Sequence, residues 1–353
     1  MKALEAAYTQ LERRFRIEAF VGQPFKSTNG ILQGCPILIV LLNLLMHVWA
    51  ECIRAEVPGA RPSAYADDAS MSTHRTQAVV ETFGISSVFC TLTGMRLNIP
   101  KSHMWALDEG DRQLLLHAGW EEDCRPKLVS SDRHLGAQLA FSKHCRANKD
   151  VEGRLESGEA VFTRISATHL PLQARAHLVG AAVLPKLVYD TSVAPVTKQR
   201  LKSWRRKATK CVWGHANPHR CTELVFTLLA KGHLCDPLQA MCYNIVLQNL
   251  RMVRKNEGFK ERFMAVCELR TQTTNAPTHG PGARFSWALS QLGWNLGIDG
   301  TVRRPAGAVF NLFTEDFETV KHNTREDMRL AQWKIAARRR PDLGGLDAPQ
   351  GFF

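Results

Sequence analysis

Leu4, Tyr8, Leu11 and Phe15 recur at helical spacing, which predicts an opening helix over residues 2–16. Residues 17–28 are short and strand-like, broken by Gly22 and Pro24, and Asn29-Gly30 marks a turn. Pro36 stands where a first helical turn would begin, and an apolar run continues to about Ala55. Its most apolar part, Ile37–Trp49, is interrupted by Asn43 and His47 and is shorter than the roughly 20 residues that span a bilayer. It reads as a buried core helix, ended by Pro58, Gly59 and Pro62.

A hairpin-like unit follows around Ala64–Met71, then a helix over 76–94 that closes at Gly94. Arg96–Leu107 is strand-like, and 127–141 alternates and turns like a hairpin with Gly136 at the bend. From about residue 150 the pattern becomes helical. Segments 150–168, 172–190 and 197–213 are candidate helices, divided by Pro171 and Pro195, and 236–269 predicts further helices. Residues 272–283, rich in Thr, Pro, Gly and Asn, read as a linker. The tail, 284–353, carries Trp287, Trp294 and Trp333 and the run Arg338-Arg339-Arg340.

Composition is that of an ordinary globular protein, and the charge adds a direction. The net charge of +13 favours a polyanionic partner such as nucleic acid or an anionic membrane. It is unevenly placed: residues 1–125 hold 12 Lys and Arg against 14 Asp and Glu, leaving 34 against 19 for residues 126–353. Ten scattered cysteines form no CxxC pair, so a disulfide scaffold is not expected and a reducing, intracellular setting fits better. The N-terminus lacks the apolar core of a signal peptide, and no membrane association is expected.

The candidate chemistry begins at Tyr65-Ala66-Asp67-Asp68. Adjacent carboxylates at the tip of a tight hairpin suit a hard divalent cation, and Mg²⁺ commonly bridges one or two carboxylates to substrate phosphates. Two such ions about 4 Å apart would stabilise the attacking and leaving oxygens of an in-line phosphoryl displacement. About 35 residues upstream stands Gly30-Ile31-Leu32-Gln33-Gly34-Cys35-Pro36. Downstream come Gly94-Met95-Arg96-Leu97-Asn98-Ile99-Pro100-Lys101 and then His134-Leu135-Gly136.

This ordered set resembles the reverse transcriptases of non-LTR retrotransposons and group II introns. The resemblance covers about residues 1–145 closely and extends more loosely to about 235. It implies an α+β chain: a partial polymerase palm over 1–125, a primer-grip-like hairpin over 126–145 and a helical thumb-like region over 146–235. A helical extension (236–271), the linker and a basic C-terminal region (284–353) would follow. Asp67 and Asp68 would hold Mg²⁺ or Mn²⁺, and Lys101 would lie near the departing pyrophosphate. Gly30, Gln33, Gly34 and Tyr65 would approach template and incoming nucleotide, and His134, Leu135 and Gly136 would form the primer grip. The implied partners are an RNA template, a DNA primer and deoxynucleoside triphosphates.

Helix 197–213 carries Lys198, Arg200, Lys202, Arg205, Arg206, Lys207 and Lys210 with no acidic residue, interleaved with Trp204 and Trp213. By resemblance, such a thumb helix would place phosphate contacts along a duplex minor groove. A crowd of Cys211, His215, His219, Cys221, His233 and Cys235 lacks paired zinc spacings and reads as chance. The family's third carboxylate, on a strand upstream of the Gly-rich turn, has no counterpart, because Asp67 is the first aspartate in the chain. Leu32 and Leu38-Ile39 also depart from the family's Pro and Ser-Pro. The expectation is therefore a retroelement-derived polymerase fragment that begins just after the first catalytic motif and is inactive alone. The other reading is a noncatalytic nucleic-acid-binding remnant.

Overall fold

The structure is a computed structural model that describes residues 12–26, 36–120, 125–135, 137–141, 149–194, 196–214, 221–229, 234–272 and 280–343. Its first described element is a strand where the apolar spacing predicts a helix. Strand β1 (Glu12–Arg13) pairs antiparallel with β4 (Phe25–Lys26), and β2 (Arg16–Ile17) pairs with β3 (Phe20–Val21) between them. Residues 12–16 are therefore not helical. The aromatic and β-branched residues of this stretch favour extended chain. Phe15 also stacks on Phe25 across the ribbon, with ring centroids 5.0 Å apart.

The chain divides into two units, Met1–Leu128 and Val129–Phe353. In the first, helix α1 (Pro36–Glu56) buries Met46, Trp49, Ala50 and Ile53 in a core shared with Val57, Ala78 and Phe89. The Trp49 indole N–H donates to Ser86 Oγ at 3.0 Å. Its other face, with Val40, Leu44 and Val48, is more than half exposed, so the helix predicted to be a buried core element is covered on one side only. Strands β5 (Arg61–Tyr65) and β6 (Asp68–Ser72) form a hairpin, and α2 (Thr76–Thr93) follows. Helix α2 ends where Gly94 adopts φ 69. Gly94 N–H bonds the Thr91 carbonyl and Met95 N–H the Cys90 carbonyl, satisfying acceptors that the helix leaves open.

Arg96–Leu107 is not the continuous strand that its alternation predicts. Asn98 caps a 3-10 turn, Ile99–Lys101, by accepting from the Lys101 N–H, and Pro100 fixes φ inside it. Only β7 (His103–Met104) is extended, paired in parallel with β8 (Lys127–Leu128). Between them lies α3 (Glu109–His117), capped by Asp108, whose carboxylate accepts from the Gly110 N–H at 2.8 Å.

The second unit opens on the hairpin of β9 (Ser131–His134) and β10 (Ala137–Ala140). Helix α4 (Lys149–Ser166) and the consecutive α5 (Leu172–Leu178) and α6 (Leu184–Val188) follow. A π turn, Val179–Val183, joins the last two. Pro185 explains it: lacking an N–H and crowding the carbonyl four residues back, proline cannot continue a regular α ladder. Helix α7 (Lys198–Trp213) is capped by Thr197, which accepts from the Arg200 N–H. The core is organised on α8 (Pro237–Lys255), whose buried residues include Met241, Ile245, Val246 and Leu250. It packs against α6, α7, α9 (Glu257–Gln272), α10 (Pro281–Leu292) and α11 (Phe317–Arg339).

Two sequence expectations change here. Pro281–Ala283, read as the end of a linker, belong to α10, with Pro281 in its first turn. The tail is a folded part of the core: strands β11 (Asn295–Leu296), β12 (Thr301–Arg303) and β13 (Val309–Asn311) make an antiparallel sheet whose β11 contacts α10. Fully buried Asp327 accepts from the Trp294 indole and from both Nε and Nη2 of Arg304, so its charge is compensated inside the protein. The whole is mixed helix and sheet, and no sheet among the described residues exceeds three strands.

Candidate functional site

The β5–β6 hairpin is two-sided. Its register pairs Pro62 with Met71 and Ala64 with Ala69 on one face, and Ser63 with Ser70 and Tyr65 with Asp68 on the other. Met71 reaches the first unit's core, and Ser63 Oγ and Ser70 Oγ meet at 2.9 Å on the polar side. The alternation of small apolar and polar residues thus fixes which side turns toward the helices, and it leaves Tyr65 and Asp68 outward. Tyr65 is 70% exposed, and Asp67 and Asp68 are exposed.

The turn has two residues, Ala66 and Asp67, between the paired Tyr65 and Asp68. Ala66 has φ 55, and Asp67 is not among the residues with positive φ. Positive φ at the first central residue alone is the type II′ pattern, which normally calls for glycine there. Neither carboxylate has a hydrogen-bond or ion-pair partner among the described residues. Both are available to a cation. No group of three or more His, Cys, Asp or Glu side chains able to hold a metal exists among the described residues. The donor set suits an ion shared with substrate phosphates and water, which is how Mg²⁺ is commonly held.

Gly30, Gln33, Gly34 and Gly136 lie outside the described residues. Lys101 closes the 3-10 turn of the same unit and is exposed, its backbone N–H committed to Asn98. In the second unit, His134 and Leu135 occupy the tip of the β9–β10 hairpin, where Leu135 has φ 48. The Tyr189 hydroxyl donates to the Leu135 carbonyl at 2.6 Å and anchors that tip from 54 residues away. Tyr189 falls within the candidate helix 172–190, and no local pattern announces a contact of that span.

Helix α7 divides its seven cations by facing. Arg205 turns inward. Its Nε and Nη2 donate to the two oxygens of Asp236 at 2.9 and 3.0 Å, Nη2 also donates to Gln332 at 2.8 Å, and Nη1 lies 3.6 Å from Glu223. Asp236, Glu223 and Gln332 are buried. Burial alone would lower the Arg205 pKa, but the Asp236 and Glu223 carboxylates outweigh it and raise the value. Arg205 therefore departs from the expected phosphate-facing set: it compensates buried carboxylates instead. Lys207 pairs with Glu159, and Arg200 is half-buried. Lys198, Lys202, Arg206 and Lys210 are exposed and have no acidic partner among the described residues. Trp204 is fully buried and serves the core, whereas Trp213 is 40% exposed.

The Cys/His crowd gains nothing as a zinc site. Cys211 and Cys235 are buried, and burial pushes both thiols up, opposing the thiolate form that a metal requires. His215, His219 and His233 lie outside the described residues. No described helix is long and apolar enough to cross a membrane. No protein-family model and no curated protein matches the chain.

Proposed function

We propose that this chain derives from an RNA-directed DNA polymerase of the non-LTR retrotransposon and group II intron type, and that Asp67 and Asp68 are its metal-binding carboxylates. The observation that carries the reading is the hairpin: a strained two-residue turn presents both carboxylates, unpartnered, beside Tyr65 on the polar side. The order of the motifs around it supports the same reading. In this reading residues 1–125 correspond to part of a palm and 146–235 to a thumb.

The chain's own residues would act in simple ways. Asp67 and Asp68 would hold a Mg²⁺ or Mn²⁺ ion against the phosphates of a deoxynucleoside triphosphate. When bound, that ion would withdraw charge from the phosphoryl oxygens and stabilise the leaving pyrophosphate. Lys101 would add a cation near the same phosphates, and the exposed Tyr65 ring would meet the nucleotide. The third carboxylate of the family has no counterpart in the sequence, so primer extension on an RNA template by this chain alone is expected to be absent. Synthesis that disappears in Asp67→Asn would overturn that part of the reading. Cation binding tests the hairpin directly: Mn²⁺ affinity is expected to rise when a deoxynucleoside triphosphate is added, and the rise is expected to vanish in Asp67→Asn/Asp68→Asn.

A further inference from the structure

We propose that the outward face of α7 is a binding site for single-stranded nucleic acid, with Lys198, Lys202, Arg206 and Lys210 on the phosphates and Trp213 as a platform for an unpaired base. Three observations converge on this. First, the four cations recur every fourth residue, so they rise along the helix in steps of about 6 Å. They wind over the solvent side as a continuous track. Second, they are what remains after the buried network takes Arg205, Glu159 takes Lys207, and half-buried Arg200 is set aside as already engaged. Lys198, Lys202, Arg206 and Lys210 are exposed, and no carboxylate among the described residues neutralises them. Third, Trp213 lies three residues past Lys210 and seven past Arg206, which brings it onto the same face. Trp213 is 40% exposed, while Trp204 on the opposite side is wholly buried.

A bare charge track would serve any polyanion. The indole at its end narrows the ligand. A base inside a duplex already has both faces stacked, so it gains little from an aromatic ring. An unpaired base has a free face, and stacking on aromatic side chains combined with a cationic track is how sequence-tolerant single-strand binding is built. This differs from a thumb helix lying along a duplex groove. It does not depend on the carboxylate hairpin: no divalent ion is involved, and Asp67 and Asp68 are not used.

The test uses the full chain, without divalent cations, and a fluorescently labelled oligothymidine of about 20 nucleotides, long enough to cover several stacked bases. Anisotropy titrations at several salt concentrations are expected to show binding that weakens steeply with salt. Replacing Lys202, Arg206 and Lys210 together with Gln is expected to reduce the log–log salt slope by about 2, since each phosphate contact on a single strand contributes about 0.7. Trp213→Ala is expected to weaken binding about tenfold or more, while Trp213→Phe, which keeps a ring, stays within about threefold of the parent. Equal or tighter binding of the matched duplex would overturn the proposal. So would an unchanged salt slope in the triple variant, or a Trp213→Ala variant that folds and binds like the parent. The Asp67→Asn/Asp68→Asn variant is expected to bind the strand normally, which separates a failure of the hairpin reading from a failure of this one.

Discussion

Ala66 carries a conformational cost that its neighbours explain. At φ 55 a side chain with a Cβ pays about 1 kcal/mol or more relative to glycine. Glu18 and Leu135 hold the equivalent first position of the other two-residue turns, at φ 52 and 48. In the Ala66-Asp67 and Glu18-Ala19 turns the register therefore comes from the flanking pairs and not from glycine at the tip. Ala66→Gly is expected to raise stability by about 1 kcal/mol in a urea titration, and a loss of stability would refute the strain argument. Arg205 illustrates the reverse case, a charged residue whose position is set by packing. Arg205→Gln leaves buried Asp236 without its cation and Glu223 with Arg339 alone, and is expected to cost about 3–5 kcal/mol. Arg206→Gln, one residue away on the solvent side, is expected to change stability by no more than about 0.5 kcal/mol. Similar costs for the two would contradict the inward and outward assignment. Composition cannot make this distinction, because seven cations in one helix look alike until their partners, 31 and 127 residues downstream, are placed.

At the scale of elements, helices with their own start and stop signals were legible in the sequence. Pro36 opens α1, Gly94 closes α2, and Asp236-Pro237 opens α8 with Asp236 both capping the Leu238 N–H and receiving Arg205. What was not legible depended on contacts between segments or on local backbone chemistry that overrides the hydrophobic pattern. The helical spacing of Leu11 and Phe15 competes with the Phe15–Phe25 stack, and the stack prevails in the described residues. The strand pattern around Lys101 yields to a 3-10 turn because Asn98 and Pro100 act locally. The π turn between α5 and α6 follows from Pro185, and the structure uses it to bring Gly180 against another segment. A Cβ at Gly180 would stand 2.7 Å from the Leu234 carbonyl oxygen. Since that neighbour is backbone, Gly180→Ala is expected to destabilise the protein by about 1–3 kcal/mol, measured by denaturant midpoint. A neutral substitution would mean that α5 and α6 can shift away from Leu234 at no cost.

On the scale of the whole molecule, charge and architecture divide in a related way. The early part of the sequence is close to electrically balanced and carries the carboxylate hairpin, while the later part carries the excess of 15 positive charges and the α7 track. The sequence indicated the hairpin and its two carboxylates correctly as a local object, because alternation and a two-residue turn are short-range features. It did not indicate that the C-terminal tail would be folded core, since Trp294, Arg304 and Asp327 meet only in three dimensions. Metal binding by Asp67 and Asp68 is tested by Mn²⁺ titration followed by electron paramagnetic resonance, with and without a deoxynucleoside triphosphate. The nucleotide is expected to strengthen Mn²⁺ binding to the parent protein, and Asp67→Asn/Asp68→Asn is expected to abolish the effect while the circular dichroism spectrum is unchanged. Equal Mn²⁺ affinity in the parent and the folded double variant, with nucleotide present, would contradict metal binding by this pair.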